Sequence, residues 1–392
     1  MKTLRNLIDR IKPNFVEGGK FSALQSVFDG FETFLFVPNA TSKSGVHIHD
    51  AIDSKRIMSF VVMALMPALL FGMYNVGYQN ALVAGKLAET TFLSMFIFGA
   101  CAVLPKIIVS YLVGLGIEFV WAQYKHEEIQ EGYLVSGILI PMIIPINTPL
   151  WMLAIACAFA VIIGKEIFGG TGMNIFNPAL VARAFLFFSY PTMMSGDSVW
   201  VANDTIFGMG YALADGTTAA TPLGIVAQTG STGTELYDAI IGFIPGSIGE
   251  TSVIAIAVGA VILLWSGIAS WRIMLSVFVG GGLTAALLAS AGMDAATYPS
   301  ASIGLQHLVY GGFAFGAVFM ATDPVTSCRT NRGQYIYGLL IGFVAIIVRV
   351  MNPGYPEGMM LAILLMNMFA STIDHYVVDA NLRKRAKRAN KQ

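Results

Sequence analysis

Apolar runs separated by short polar connections repeat along the chain. They occupy residues 57–74, 92–122, 133–144, 150–164, 179–190, 253–265, 273–291, 307–320, 335–351 and 359–377. The period is that of helices, apolar on all sides, which places them in a bilayer or a buried core. The pattern predicts an all-α polytopic membrane protein of about ten transmembrane helices. Several runs fall short of the roughly 20 residues a straight crossing needs. The 133–144 run is bracketed by Pro141 and Pro145, whereas the 92–122 run is too long for one straight crossing and is interrupted at Pro105-Lys106, which predicts a tilted, broken span.

The two hydrophobic halves resemble each other. Arg56-Ile57-Met58 opens one run and Arg272-Ile273-Met274 another, and the stretch 137–145 is similar to 316–324, each followed by a polar turn and a further span. Five spans per copy is an odd number, so the second copy is expected upside down relative to the first. Short, proline-broken segments at matching places in inverted repeats predict half-helices around a site near the bilayer midplane.

Composition confirms the class. Of 392 residues, 56% are hydrophobic and 12% charged, and the mean hydropathy is +0.69. Lys plus Arg and Asp plus Glu each total 23, so the net charge is zero and no nucleic-acid partner is implied. The positions of the charges carry more information. Lys55-Arg56, Arg329 with Arg332, and the run from Arg383 to Arg388 fall on one side in a ten-span arrangement, which puts both termini in the cytoplasm. Cys101, Cys157 and Cys328 form no Cys-x-x-Cys pair, so neither a disulfide framework nor a protein-held iron–sulfur cluster is expected. The N-terminus lacks the apolar core and small-residue cleavage site of a signal peptide. Residues 1–55 read as a cytoplasmic extension with two amphipathic helices, set by Leu4, Leu7, Ile8 and Ile11 and by Leu24, Val27, Phe28, Phe31 and Leu35. His47 and His49 read as loop residues, and no metal site is assigned. The remaining divisions are a first membrane repeat at 56–190, an external loop at 191–250, a second repeat at 251–378 and a basic tail at 379–392.

Candidate chemistry lies in polar interruptions of the apolar pattern. Asn174 and Asn177 flank Phe176 just before Pro178, where a helix would begin; either is suited to cap that helix or to hydrogen-bond a planar ring. Gly169, Gly170 and Gly172 precede them and let backbone approach such a ring closely, or form a plain connector. Glu118 and Asp374 are acids within or at the edge of apolar runs, and burying an acid there is costly enough to make each a candidate for a cation path; Asp374 also lies near the basic tail and can pair with it. Lys106 can snorkel. Gly114 and Gly116 can border a cleft or serve helix packing. The loop Asp215-Gly216-Thr217-Thr218-Ala219-Ala220-Thr221 is a small polar island that reads either as a Thr-rich turn or as a modification signal.

That last segment resembles the signal at which a flavin transferase esterifies FMN onto threonine. Two further stretches, 164–180 (Gly-Lys-Glu-Ile-Phe-Gly-Gly-Thr-Gly-Met-Asn-Ile-Phe-Asn-Pro-Ala-Leu) and 244–250 (Ile-Pro-Gly-Ser-Ile-Gly-Glu), stand beside it in the order seen in the B-subunit family of the sodium-translocating NADH:quinone oxidoreductases. The resemblance covers essentially the whole chain. The D-subunit family of the Rnf-type ferredoxin:NAD oxidoreductases is a close relative, and the long N-terminal extension with Gly45-Val46-His47-Ile48-His49-Asp50 resembles the quinone reductase instead. Ala219 departs from the family's usual glycine.

The resemblance implies a translocase subunit of a bacterial inner membrane. It would have covalent FMN on Thr221, helped by Asp215 and Thr218, and noncovalent riboflavin near Asn174 and Asn177. Electrons would pass to ubiquinone or menaquinone in a cleft lined by Gly114 and Gly116, coupled to sodium export, and five partner subunits would supply the NADH site and iron–sulfur centres. No catalytic residue is assigned. Inverted five-span repeats also occur in channels and transporters for small solutes, so the architecture alone leaves that alternative open.

Overall fold

A computed structural model describes residues 2–15, 19, 25–36, 44–46, 52, 54–125, 132–214, 219–231, 233–291, 298–352 and 357–389. Among these the regular structure is helical. In the N-terminal extension, α1 (Lys2–Ile11) and α2 (Gln25–Leu35) are held by Glu32, which accepts from Lys12 at 2.7 Å and lies 3.4 Å from Arg5, and by stacked Phe15 and Phe28. α2 also packs on the second membrane helix. His47 and His49 lie outside the described residues.

The first half continues with α3 (Ser54–Val83), α4 (Phe92–Lys125), α5 (Tyr133–Met142), α6 (Leu150–Ile162) and α7 (Pro178–Ser189). α3 runs nine residues past the expected end at Tyr74, because Asn75 and Asn80 find partners in the loops beyond. Asn75 donates to Ile244 O at 3.0 Å, and Asn80 donates to Ala202 O at 2.9 Å and Tyr211 O at 2.8 Å. α4 is continuous through Pro105, which corrects the expected break. A proline removes one ladder bond, and here the helix absorbs that loss while pressing tightly on α3: a methyl on Gly77 or Gly99 would collide with the backbone of the facing helix.

Between the halves lie the short α8 (Pro191–Met194), α9 (Pro222–Thr229) and α10 (Leu236–Ile241). The second half contains α11 (Val253–Trp265), α12 (Trp271–Ser290), the tight-turn segment Pro299–Leu308, α13 (Phe313–Phe315) widening into a π turn at Gly316–Met320, α14 (Asn331–Met351) and α15 (Met359–Ala389). α15 carries the basic residues 383–388 as its own continuation, so the expected separate tail is helical through Ala389.

Among the described residues, six helices are long and apolar enough to cross a bilayer: α3, α4, α6 with its extension to Phe168, α12, α14 and α15. The segment Pro299–Leu308 with Phe313–Met320, bent by 44°, makes a seventh if counted as one span. The other expected spans, α5, α7 and α11, are shorter apolar helices completed by irregular backbone. Such backbone is tolerated at membrane depth only where protein satisfies it. At the end of α5 that happens directly: Ile143 O accepts from Arg183, and Met142 O accepts from Gly249 N at 2.7 Å.

The packing order is similar in the two halves. In the first, α4 packs on α5 and α6, and α6 on α7; in the second, α12 packs on Pro299–Leu308 and α14, and α14 on α15. The leading members α3 and α11 pack against each other, as do the closing members α7 and α15.

Candidate functional site

A pocket of about 790 Å³, counting its open mouth, lies where the halves meet. α3, α5 and the start of α7 form one side; the end of α11, the π turn and residues 322–325 form the other. Val61, Val135, Leu139, Leu263 and Phe319 give it apolar walls, and Lys165, Asn174, Asn177 and Asp323 are among its polar lining. Apolar walls with a few convergent polar groups suit a flat, partly polar ligand.

Each polar group is held from behind. Asn177 caps α7: its Oδ1 accepts from Ala179 N at 2.9 Å, and Pro178 occupies the first helical position, where a missing N–H costs nothing. Its Nδ2 donates to Asp323 Oδ2 at 3.2 Å, tying the two halves together. Asn174 is no cap. It closes the preceding loop, accepting from Gly172 N at 3.3 Å and donating to Phe176 O at 2.9 Å. Asp323 also accepts from Val325 N at 3.0 Å and Thr326 Oγ1 at 3.1 Å. Burial pushes its carboxyl pKa up, with these hydrogen bonds pulling the other way. Lys165 donates to Glu118 Oε1, and both side chains are 4% exposed. Lys165 lines the pocket and Glu118 stands behind it, outside the lining. Gly169 and Gly170, at φ 114° and 92°, turn the chain between Lys165 and Asn174 through a region that side chains rarely adopt, and they are not part of the lining.

Thr221 sits at the other end of the molecule. Its Oγ1 accepts from Gly224 N at 3.1 Å and caps α9, which packs against Pro299–Leu308 through a small core of Leu223, Val226, Ile303 and Tyr310. Asp215 and Thr218 lie outside the described residues; Ala219 N donates to Asp197 O at 2.8 Å. α3 measures the separation. Ile57 lines the pocket and Asn75 binds Ile244 in the layer that carries α9, roughly 27 Å apart at 1.5 Å per residue.

The remaining candidates are dispersed. Gly114 is pressed against the Tyr133 ring, while Gly116, two residues on and so on the opposite side of α4, faces open space. Asp374 does not pair with the basic tail. It accepts from Arg329 N at 2.7 Å and from Thr330 N and Oγ1 at 3.1 and 2.5 Å, fastening the start of α14 to α15. Lys106 does not snorkel; it is 5% exposed and donates to Thr148 O, in the irregular link between α5 and α6. Among the described residues no three metal-ligating side chains cluster.

Three residues escaped sequence reasoning. Asp323, in Thr322-Asp323-Pro324, has the signature of an ordinary turn; its only hint was the likeness of 316–324 to 137–145. Lys165 read as a span terminator. Arg183 stands in an apolar run, yet is 2% exposed and bonded to Ile143 O, Glu357 and, at 3.1 Å, Glu250. An arginine inside a span was itself a signal.

Proteins of known name are similar over nearly the full chain. The B subunit of the Na(+)-translocating NADH-quinone reductase of Chromohalobacter salexigens is 43% identical, the alignment covering 98% of this chain and 96% of that protein. Proteins of the same name from Ectopseudomonas mendocina and Azotobacter vinelandii are each 42% identical, over 98% of this chain and 99% of theirs. The sequence model described as NQR2, RnfD, RnfE matches residues 41–383, and the chain belongs to that family.

Proposed function

We propose that this chain is a membrane subunit of a sodium-translocating NADH–quinone reductase, with FMN esterified to Thr221 and riboflavin held noncovalently in the pocket between the halves. The observation that carries the reading is the near-full-length likeness to relatives bearing that name. Because the likeness takes in 96–99% of those relatives, the N-terminal extension included, it favours the quinone reductase over the Rnf branch. The similar packing order of the halves supports ten crossings in two inverted repeats, with α5, α7, α11 and the bent segment as the irregular ones. On this reading the chain lies in a bacterial inner membrane with both termini in the cytoplasm. Five partner subunits supply the NADH site and further redox centres, and ubiquinone or menaquinone takes the electrons.

The residues present fit the two flavins. Thr221 uses an oxygen lone pair for its cap, so the same oxygen serves as an ester oxygen without loss of the bond from Gly224 N. The phosphate carried by that ester would lie near the start of α9, where the helix dipole favours negative charge. Asp215 and Thr218 complete the recognition signal. At the pocket, Asn174, Asn177 and Asp323 present amide and carboxyl groups to a ring edge, while the apolar walls take its faces and exclude water. Bound flavins supply one- and two-electron transfer. Sodium passes near Glu118; Asp374, already saturated by the start of α14, is the weaker of the two acids for that part.

Mass spectrometry of the peptide containing Thr221 tests the covalent assignment, expected to show the mass of FMN less water. Thr221→Ala should abolish flavin fluorescence of this chain on a denaturing gel while acid-extractable riboflavin stays. A variant band that still fluoresces would move the attachment elsewhere.

A further inference from the structure

Among the described residues lining the pocket, Lys165 brings the one positively charged side chain and Asp323 the one acid. The side chain of Lys165 is 4% exposed, and among the described residues the hydrogen-bond partner of its ammonium is Glu118, on α4 and outside the lining. The two residues of this ion pair therefore differ in standing: Lys165 borders the ligand space and Glu118 does not. Lys165 is placed there by local structure. It follows the end of α6, and its carbonyl accepts from Phe168 N at 3.1 Å and Gly170 N at 3.2 Å. That turn leads through the left-handed glycines Gly169 and Gly170 to Asn174. The loop that carries the asparagines thus also holds the backbone of Lys165.

We propose that Lys165 is a positioning residue that sets the electron affinity of the pocket's occupant, and that Glu118 moderates it by holding part of the ammonium's field. The inference rests on the pocket being a flavin site. Electrons originate from NADH, the donor in the reaction named for the relatives. One electron added alone, or two added with one proton, brings one unit of negative charge into the pocket. A nearby cation favours that charge, and in a dry site the interaction is weakly screened. Removing the cation disfavours reduction. Removing the carboxylate behind it while keeping the cation favours reduction. The two substitutions act on one ion pair yet shift the equilibrium in opposite directions. A merely structural salt bridge would not do this, since losing either end would disturb the pocket in the same sense.

The test uses the assembled complex, with the midpoint potential of the noncovalent flavin read by spectroelectrochemical titration on the alkaline side of neutrality, where two-electron reduction takes up one proton rather than two and the reduced ring is an anion. Lys165→Met should lower the reduced-to-oxidised ratio at a fixed potential by roughly tenfold. Glu118→Gln should raise it, and Lys165→Arg should stay near the wild type. Shifts of the same sign in Lys165→Met and Glu118→Gln, or no shift in either, would overturn the inference. Acid-extractable riboflavin separates this from failure of the underlying reading. Ala269→Trp, which fills the pocket from the α11 side, should empty it of riboflavin. If riboflavin stays at full stoichiometry in that variant, the pocket is not the flavin site and the inference falls with it. If Ala269→Trp loses riboflavin while the Lys165 and Glu118 variants titrate like the wild type, the flavin site stands and only the role of Lys165 is lost.

Discussion

The two ends of the helix bundle bury charge in different ways. At the pocket end one lysine meets one carboxylate beside an open cavity. Towards the Thr221 end, Arg183 reaches Ile143 O, Glu250 and Glu357, and Arg349 donates to Glu357 O at 2.7 Å and His307 O at 2.6 Å. These two arginines and two glutamates join α7, the link after α5, the approach to α11, α14 and the chain before α15. An ionisable group in a membrane is a functional hypothesis by default, and the contrast refines that rule. A charge held by backbone carbonyls and carboxylates from several elements fastens broken helices; one that borders a cavity is placed to act on a ligand.

The sharpest way to break this contrast is Arg183→Met. It strands Glu250 and Glu357 and frees Ile143 O, and removing one partner of a buried pair costs about 3–5 kcal/mol. The variant should accumulate poorly and lose monodispersity in detergent at lower temperature, whereas Lys165→Met, which strands one carboxylate rather than two and frees no backbone carbonyl, should lose less thermal stability. Equal destabilisation by both would erase the distinction. Next in size, Asn177→Ala removes the α7 cap and the bond to Asp323 together. Riboflavin content should fall by more than half with covalent FMN unchanged; full retention of riboflavin would reduce Asn177 to a cap, worth about 1 kcal/mol. The smallest effect on stability is expected at Thr221. Thr221→Ser keeps a hydroxyl for the cap of α9 and should melt like the wild type. Thr221→Ala should lose about 1 kcal/mol locally, measurable as faster amide exchange at Gly224 and Ile225. Unchanged exchange there would show that the cap contributes nothing to α9.

Helix identity was legible in the sequence because apolar runs state it directly, and the short runs were legible as irregular because prolines and length mark them. The end of α3 was not. Asn75, Gln79 and Asn80 read as the end of a span, and only loops distant in sequence, at 202–211 and 244, give those amides partners that keep the helix going. Pro105 misled in the opposite sense, since local chemistry marks a break that packing against α3 overrides. For the site, the asparagines and glycines stood out as polar interruptions. Asp323 and Lys165 did not, because a turn signature and a span end are complete local explanations, and the cavity that brings both together forms only when the two halves meet.

α15 offers a ruler for motion. It is one uninterrupted helix from Met359 to Ala389, clamped to α14 where Asp374 takes the N–H groups of Arg329 and Thr330 and where Tyr337 donates to Asn367 Oδ1 at 2.7 Å. Beyond Asp374 it continues, largely exposed, for about 14 residues to Arg388, roughly 21 Å of rigid rod. A 5° tilt pivoting at Asp374 moves that tip by roughly 2 Å. A spin label at Arg388, read by distance spectroscopy against one at Arg5, would turn rearrangements of the second half during turnover into a displacement large enough to resolve.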